Sequence, residues 1–345
     1  MTKPAQAVPH EALKNAASFP LGVAISYYLT RNDANYGKII TTHFSRVTFE
    51  YQMKHVANVR NDGTFNFVHT DHLVNKIIAA GLAIHGHALV WHRDNNNHYL
   101  HSMSPLQVLP DPKFSDKVMK DWIETVVSRY AGKVTGWDVV NEPFNQLGHL
   151  RAGYRDNGFF SWFDVLGRSY LSNAFHYAHV ADPKAILFIN EYDLEAKEAK
   201  LDALLHLVWD LKKQQVPLHG IGTQMHIYAN TPDRNIDEMF IKLAQTGLQI
   251  HVSELDVRMN LNFTNDFAPT TKLLECQADR FSYVVQSYRK HVPVPQQYGI
   301  TAWNVTDNDS WVSDECGYPD YPTMFDKEFN RKPAFDRFLW SLSNF

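Results

Sequence analysis

The feature that most constrains this chain is a recurrence. Eight short apolar or β-branched runs, each followed by a longer segment of helical spacing, punctuate the sequence: LGVAIS (21–26), FSRVTFE (44–50), LAIHGHALVW (82–91), VTGWDVVNE (134–142), AILFINEY (185–192), GIGTQMHIY (220–228), LQIHVSELDV (248–257) and YGITAWNVTD (298–307). Runs this apolar suit parallel strands covered on both faces and joined by helical crossovers. Between two of them, 114–130 reads FSDKVMKDWIETVVSRY, an amphipathic helix with Ser115 as its expected N-cap. Eight strand–helix units predict an α/β fold, the (β/α)8 or TIM barrel. No Gly/Ser or Pro-rich linker and no solenoid repeat interrupts the 345 residues. The expectation is one domain over 1–345, with 1–18 as an N-terminal extension.

Composition narrows the function classes. Lys and Arg total 33 against 37 Asp and Glu, a net charge of −4, so no cationic field recruits nucleic acid or anionic lipid. No run approaches the roughly 18 apolar residues of a membrane helix, and MTKPAQAVPHEALKNAASFP lacks a signal-peptide core. Cys276 and Cys316 lack CxxC spacing, and two unpaired thiols are expected rather than a bridge. The excesses are in His, with 18, Tyr, with 16, and Trp, with 8.

Reacting groups in such a barrel sit at the C-terminal ends of the strands, where position is fixed and loops open to solvent. Those ends carry Glu50, His87 with Trp91 and His92, Asn141 with Glu142, Glu191, Gln224 with His226, Glu254 with Asp256, and Trp303. Glu142 ends the fourth run and Glu254 lies in the seventh, almost opposite in an eight-membered ring. Two carboxyls across one aromatic-rimmed mouth suit glycosidic cleavage: one protonates the leaving oxygen, the other attacks the anomeric carbon or activates water. A competing reading takes His85-Gly-His87, with His92 and His226, as metal ligands. In amidohydrolase barrels that HxH lies on the first strand, whereas here it lies on the third. No metal and no cofactor is therefore expected. A sugar-binding protein on a dead barrel would lack one of the two glutamates.

At these residues the chain resembles glycoside hydrolase family 10, the endo-β-1,4-xylanases. GTFNFVHTD (63–71), IHGHALVWH (84–92), WDVVNE (137–142), GIGTQMH (220–226), SELDV (253–257), WNVTDNDSW (303–311) and PTMFDKEFNRKPAF (322–335) follow that family's signature blocks in order. The resemblance implies a retaining double displacement, with carboxyls ~5–5.5 Å apart. Glu142 would be the acid/base, Glu254 the nucleophile, Asn141 the partner of the sugar 2-hydroxyl, and His226, held by Asp256, the group orienting Glu254. It places sugar contacts at Glu50, Lys54, His87, Trp91, Gln224, Trp303 and Trp311, with Tyr51, in place of an asparagine, expected to stack on a sugar or close part of that subsite, or else to turn into the barrel wall, whereas Trp122, Trp209 and Trp340, on helical patterns, are expected in the core. The implied partners are xylan and xylo-oligosaccharides, acted on by a monomer, secreted or else cytoplasmic.

The chain departs from the family pattern at Tyr51 for an asparagine, Asp94 for a glutamine, Asn304 for a glycine, and Asn190-Glu191-Tyr192-Asp193 for Asn-Asp-Tyr-Asn. Pro143 after Glu142 resembles cellulases and mannanases of the same clan, which keeps a β-glucan or mannan substrate as the alternative.

Overall fold

The computed structural model describes residues 12–102, 111–153 and 160–345. Every one of the eight runs contains a strand: β1 Leu21–Ile25, β2 Arg46–Phe49, β3 Ala83–Gly86, β4 Val134–Asn141, β5 Ile186–Glu191, β6 Gly220–Thr223, β8 Gln249–Arg258 and β9 Gln297–Ala302. The 220–228 run is split, its second half forming the short β7, His226–Tyr228, alongside the end of β8. All pairings are parallel, and β1 with β9 and β6 with β8 join the order into a closed ring of eight. Met225, at φ 59°, breaks the 220–228 run, because a left-handed residue cannot continue a ladder.

Outside the ring each stave is followed by a helix, among them Pro112–Arg129 after β3, Ser169–Ala181 after β4 and Glu198–Lys213 after β5. In Pro112–Arg129 the buried residues Val118, Met119, Trp122, Ile123, Val126 and Val127 recur at helical spacing, which presents one apolar stripe to the barrel. Its N-cap is Asp111, which accepts from the Lys113 amide, with Pro112 in the first turn. Ser115, the expected cap, lies inside the helix: Asp111-Pro112 combines an acceptor with a preset φ, and the helix starts there. Trp122 is buried and donates from Nε1 to Leu89 O at 2.8 Å. Trp209 and Trp340, expected in the core, are 49% and 46% exposed; periodicity placed them on helices, but on the solvent side.

The barrel interior is packed by unequal residues. An ideal Cβ on Gly86 would lie 2.1 Å from the Trp137 ring, so glycine on β3 is what admits that indole from β4. Beside this apolar filling runs a polar layer. Asp138 meets His85 Nε2 at 3.1 Å and His87 Nδ1 at 2.9 Å, and Arg46 lies 3.9 Å over the Tyr298 ring. Burial alone would raise the Asp138 carboxyl, but the two histidines outweigh it and hold it well below the usual range. Residues 1–11 of the expected extension lie outside the described residues; its described part packs inward, with Leu13 fully buried and Lys14 Nζ donating to Thr41 O. Cys276 and Cys316 are unpaired.

Candidate active site

The site is built on a ladder that continues past the strand ends. Asn141 N donates to Val90 O (2.9 Å), Glu142 N to Asn190 O (2.8 Å), Gln224 N to Glu191 O (2.9 Å), Glu254 N to Gln224 O (3.0 Å) and Trp303 N to Leu255 O (3.0 Å). Each side chain therefore leaves a backbone already fixed by the next stave. Several carriers adopt the left-handed region, Glu142 at φ 52°, Asp94 at 49° and Asn304 at 68°. Such residues cost about 1–3 kcal/mol each and persist only where the surroundings over-determine them.

A cavity of about 480 Å³ opens at this end of the barrel, lined by Glu50, Lys54, His87, Trp91, Asn141, Glu142, Gln224, His226, Glu254, Trp303 and Trp311, with Arg151, Tyr192 and Arg258 among its other walls. Eleven of the thirteen residues singled out from sequence thus share one cavity. Asp256 stands behind it, fully buried. It accepts from His226 Nδ1 at 2.7 Å and from Trp311 Nε1 at 2.8 Å. Tyr51 is not in the wall: it opens the turn whose end, Lys54, returns to the cavity, and its ring is 43% exposed.

The two glutamates are held differently. Glu254 accepts from Asn190 Nδ2 at 2.8 Å and meets His226 Nε2 at 3.2 Å, with His87 Nδ1 at 4.0 Å. Burial alone would lower His226, but Asp256 and Glu254 outweigh it and raise it to about 10. The ring is an imidazolium between two carboxylates at neutral pH. Glu142 instead accepts from the neutral Gln224 amide at 3.1 Å, with His92 and Arg151 each 4.0 Å from its other oxygen. Burial, then the charges of Arg151, Arg93 and Lys200, lower His92 to about 2 and keep it neutral.

Around this pair, Lys54 Nζ sits 2.8 Å from Asp94 and 4.6 Å over the Trp91 ring, an ammonium on an aromatic face. Trp303 lies edge-on to His87 and Trp311 tilts over His226. Glu191, another strand-end carboxylate, does not reach the cavity: it is fully buried and paired with Lys200 at 2.7 Å. His85 faces the barrel interior on Asp138, so the HxH histidines serve one carboxylate from two sides.

Sequence reasoning missed Asn190 and Arg151 as site residues. Asn190 links the two halves by donating to Asn141 Oδ1 and to Glu254 Oε1. A signal existed: Asn190-Glu191 repeats Asn141-Glu142 one stave on, and Asn141 pairs with Asn190 in register. Arg151 is nine residues beyond Glu142, and only the folded loop returns it.

A closed parallel barrel whose aromatic mouth holds two carboxylates in such unlike surroundings defines a class, the barrel glycoside hydrolases. Glycosyl hydrolase family 10 matches residues 10–340, and the chain belongs to that family. It is 33% identical to endo-1,4-beta-xylanase A of Caldicellulosiruptor sp. (strain Rt8B.4) over 94% of this chain, and 32% identical to endo-1,4-beta-xylanase A of Thermoanaerobacterium saccharolyticum over 92%. It spans only 46% and 26% of those two proteins. The intracellular xylanase of T. saccharolyticum JW/SL-YS485, solved as a variant with xylotetraose, superposes with a TM-score of 0.84 at 30% identity, covering 97% of this chain and 99% of that one.

Proposed function

We propose that the barrel is a single catalytic domain acting as a retaining endo-1,4-β-xylanase on xylan and xylo-oligosaccharides. The observation that carries the reading is the unequal holding of the two glutamates. Glu254, held between the Asn190 amide and the His226 imidazolium, is fixed in place and serves as nucleophile. Glu142, on a neutral amide and open to the cavity, carries the proton that reaches the leaving oxygen.

In the first step the Glu142 proton passes to the glycosidic oxygen as its bond to the anomeric carbon breaks, and a Glu254 oxygen bonds that carbon. In the second, Glu142 takes a proton from water, the water oxygen bonds the same carbon, and the Glu254 ester breaks. Asn141 meets the 2-hydroxyl, while His226 on Asp256 sets the angle of Glu254. Glu50, Lys54, Gln224 and His87 offer hydroxyl partners, and Trp91, Trp303 and Trp311 stack on sugar faces. The enzyme works as a monomer, outside the cell on polymer; the relative named intracellular supports a second setting, on short oligomers inside it.

Proton NMR of the first products tests the mechanism. β-Xylose reducing ends are expected, and α ends first would overturn the nucleophile. Glu254→Ala should be inactive, with azide giving an inverted glycosyl azide. Hydrolysis of xylan far above carboxymethyl-cellulose and mannan is expected; the opposite order would transfer the enzyme to another substrate of the clan.

A further inference from the structure

Arg151 is bound to Glu142 at two levels. Its Nε donates to the Glu142 carbonyl at 2.9 Å, and its Nη2 lies 4.0 Å from the Glu142 carboxylate. The guanidinium is steered by Tyr192, whose hydroxyl accepts from Nη2 at 2.7 Å. Its backbone is pinned as well, since Arg151 N donates to Pro143 O at 2.8 Å and Arg151 O accepts from Ser161 Oγ at 3.1 Å. The loop that leaves the left-handed Glu142 therefore folds back and clamps the residue it left.

We propose that Arg151 is a positioning residue of the reaction, fixing the backbone of Glu142 and supplying the cation that sets when this carboxyl gives up and takes back its proton. The inference rests on the acid/base reading of Glu142. Among the described residues, the groups facing that carboxyl from neighbouring elements are few. Neutral His92 comes from the loop after β3, and Gln224 from the end of β6. Glu191 and Tyr192 belong to the end of β5, and the Lys200 ammonium is engaged by Glu191. Glu254 carries like charge across the cavity, whose walls also hold Glu50, Lys54, Arg93, Asp193, the His226 imidazolium, Arg258 and Glu315, and Arg151 lies 4.0 Å from the Glu142 carboxylate. Arg151 is then the cation that stabilises the Glu142 carboxylate after the proton has left for the glycosidic oxygen. The same charge holds Glu142 ready as the base that activates water. Loss of that cation is read at the alkaline limb of the pH profile, where Glu142 serves as the acid.

The test uses the pH dependence of kcat/KM on xylotetraose and of kcat on an aryl xylobioside with a good leaving group, for Arg151→Gln, Arg151→Lys and Glu142→Gln. With Arg151→Gln the alkaline limb should move up by about half a pH unit or more, and kcat on the aryl substrate should fall at least about tenfold because the base step limits it. Arg151→Lys keeps the charge and loses the two-level grip, so kcat/KM should fall while the limb stays in place. A loss of activity in Arg151→Gln with an unmoved limb would overturn the proposal and leave Arg151 as loop scaffolding. An alkaline limb that survives in Glu142→Gln would overturn the acid/base reading instead, whatever Arg151 does. Should Arg151→Gln not fold, Tyr192→Phe frees the guanidinium from its acceptor; a limb moved in the same direction supports the proposal, and an unmoved one refutes it.

Discussion

Replacing Lys200 by methionine isolates the most enclosed charge pair beside the site. Lys200 and Glu191 are both fully buried at 2.7 Å, and the ammonium also lies 3.2 Å over the Tyr192 ring. Glu191 keeps two backbone donors, the amides of Phe144 and Tyr192, each at 3.0 Å. Methionine preserves the length of the chain and removes the charge. An uncompensated buried carboxylate costs about 3–5 kcal/mol. Unfolding entropy of roughly 2.1 cal/mol/K per residue over 345 residues gives about 0.7 kcal/mol/K, so Tm should fall by about 4–7 °C. The loss depends on pH. Burial pushes Glu191 up to about 7 against the pull of Lys200, from an ordinary value of 4.5. A carboxyl raised in the folded state contributes fully below the unfolded value and loses that contribution as pH rises through the folded one. At pH 5 the carboxyl is protonated in both proteins, and the gap in Tm should be small; one proton opens at most about 1.4 kcal/mol per pH unit above the parent's value of about 7, so the gap should be about 2 °C at pH 8 and approach its full size only near pH 10. Calorimetry at the two pH values measures this, and Glu191→Gln added to Lys200→Met should recover most of the loss. A gap of under 1 °C at pH 8, or one of equal size at both pH values, would refute the reasoning.

Trp122→Ala should destabilise by about 3–5 kcal/mol in chemical denaturation, since it removes a buried indole, its bond to Leu89 O and its stacking on Phe67. His226 is raised to about 10 from 6.5, so its contribution to stability is full below about 6.5 and is lost as pH rises toward 10; His226→Asn should flatten that alkaline decline in a pH series of melts and abolish turnover. Asp94→Asn releases Lys54 from its 2.8 Å partner and should raise KM on xylotetraose about fivefold, the equivalent of one hydrogen bond, with kcat within twofold of the parent. Dialysis against a chelator should leave the rate unchanged, because each catalytic role is filled by a side chain; a loss restored by zinc would revive the metal reading of His85 and His87.

Much of this molecule is legible because its signals are local. The staves show as apolar runs, since a parallel strand in a barrel is covered on both sides, and Glu142 and Glu254 show as carboxylates where such runs end. What stays hidden depends on where a residue points or what returns to it. The ten-residue run 82–91 supplies only a four-residue strand, Ala83–Gly86, and apolar character alone does not tell ladder from buried loop. Trp209 and Trp340 sit on amphipathic helices but turn outward, since a single aromatic does not move the stripe. Asn190 and Arg151 act through contacts with β4, β8 and the Glu142 carbonyl, and no spacing announces a hydrogen bond across a barrel or back along a loop.

The departures from the family pattern acquire a common sense in the folded chain. Asp94 holds Lys54 at 2.8 Å over Trp91. Asn304, left-handed at φ 68° where glycine is usual, donates to Glu50 Oε1 at 3.3 Å and accepts from Trp311 N at 3.2 Å. Tyr51 leaves the wall and stands beside Asp94. Asp94 and Asn304 therefore meet side chains expected to touch sugar, Lys54 and Glu50, whereas Glu254 and Glu142 are held by Asn190, His226 and Gln224. The two sets meet at Trp311, whose Nε1 donates to the Asp256 that holds His226, and at Gln224. The bonds of Asp94 to Lys54 and of Asn304 to Glu50 are not among those that hold Glu254 or Glu142, so a change at Asp94 or Asn304 should register in KM before it registers in kcat.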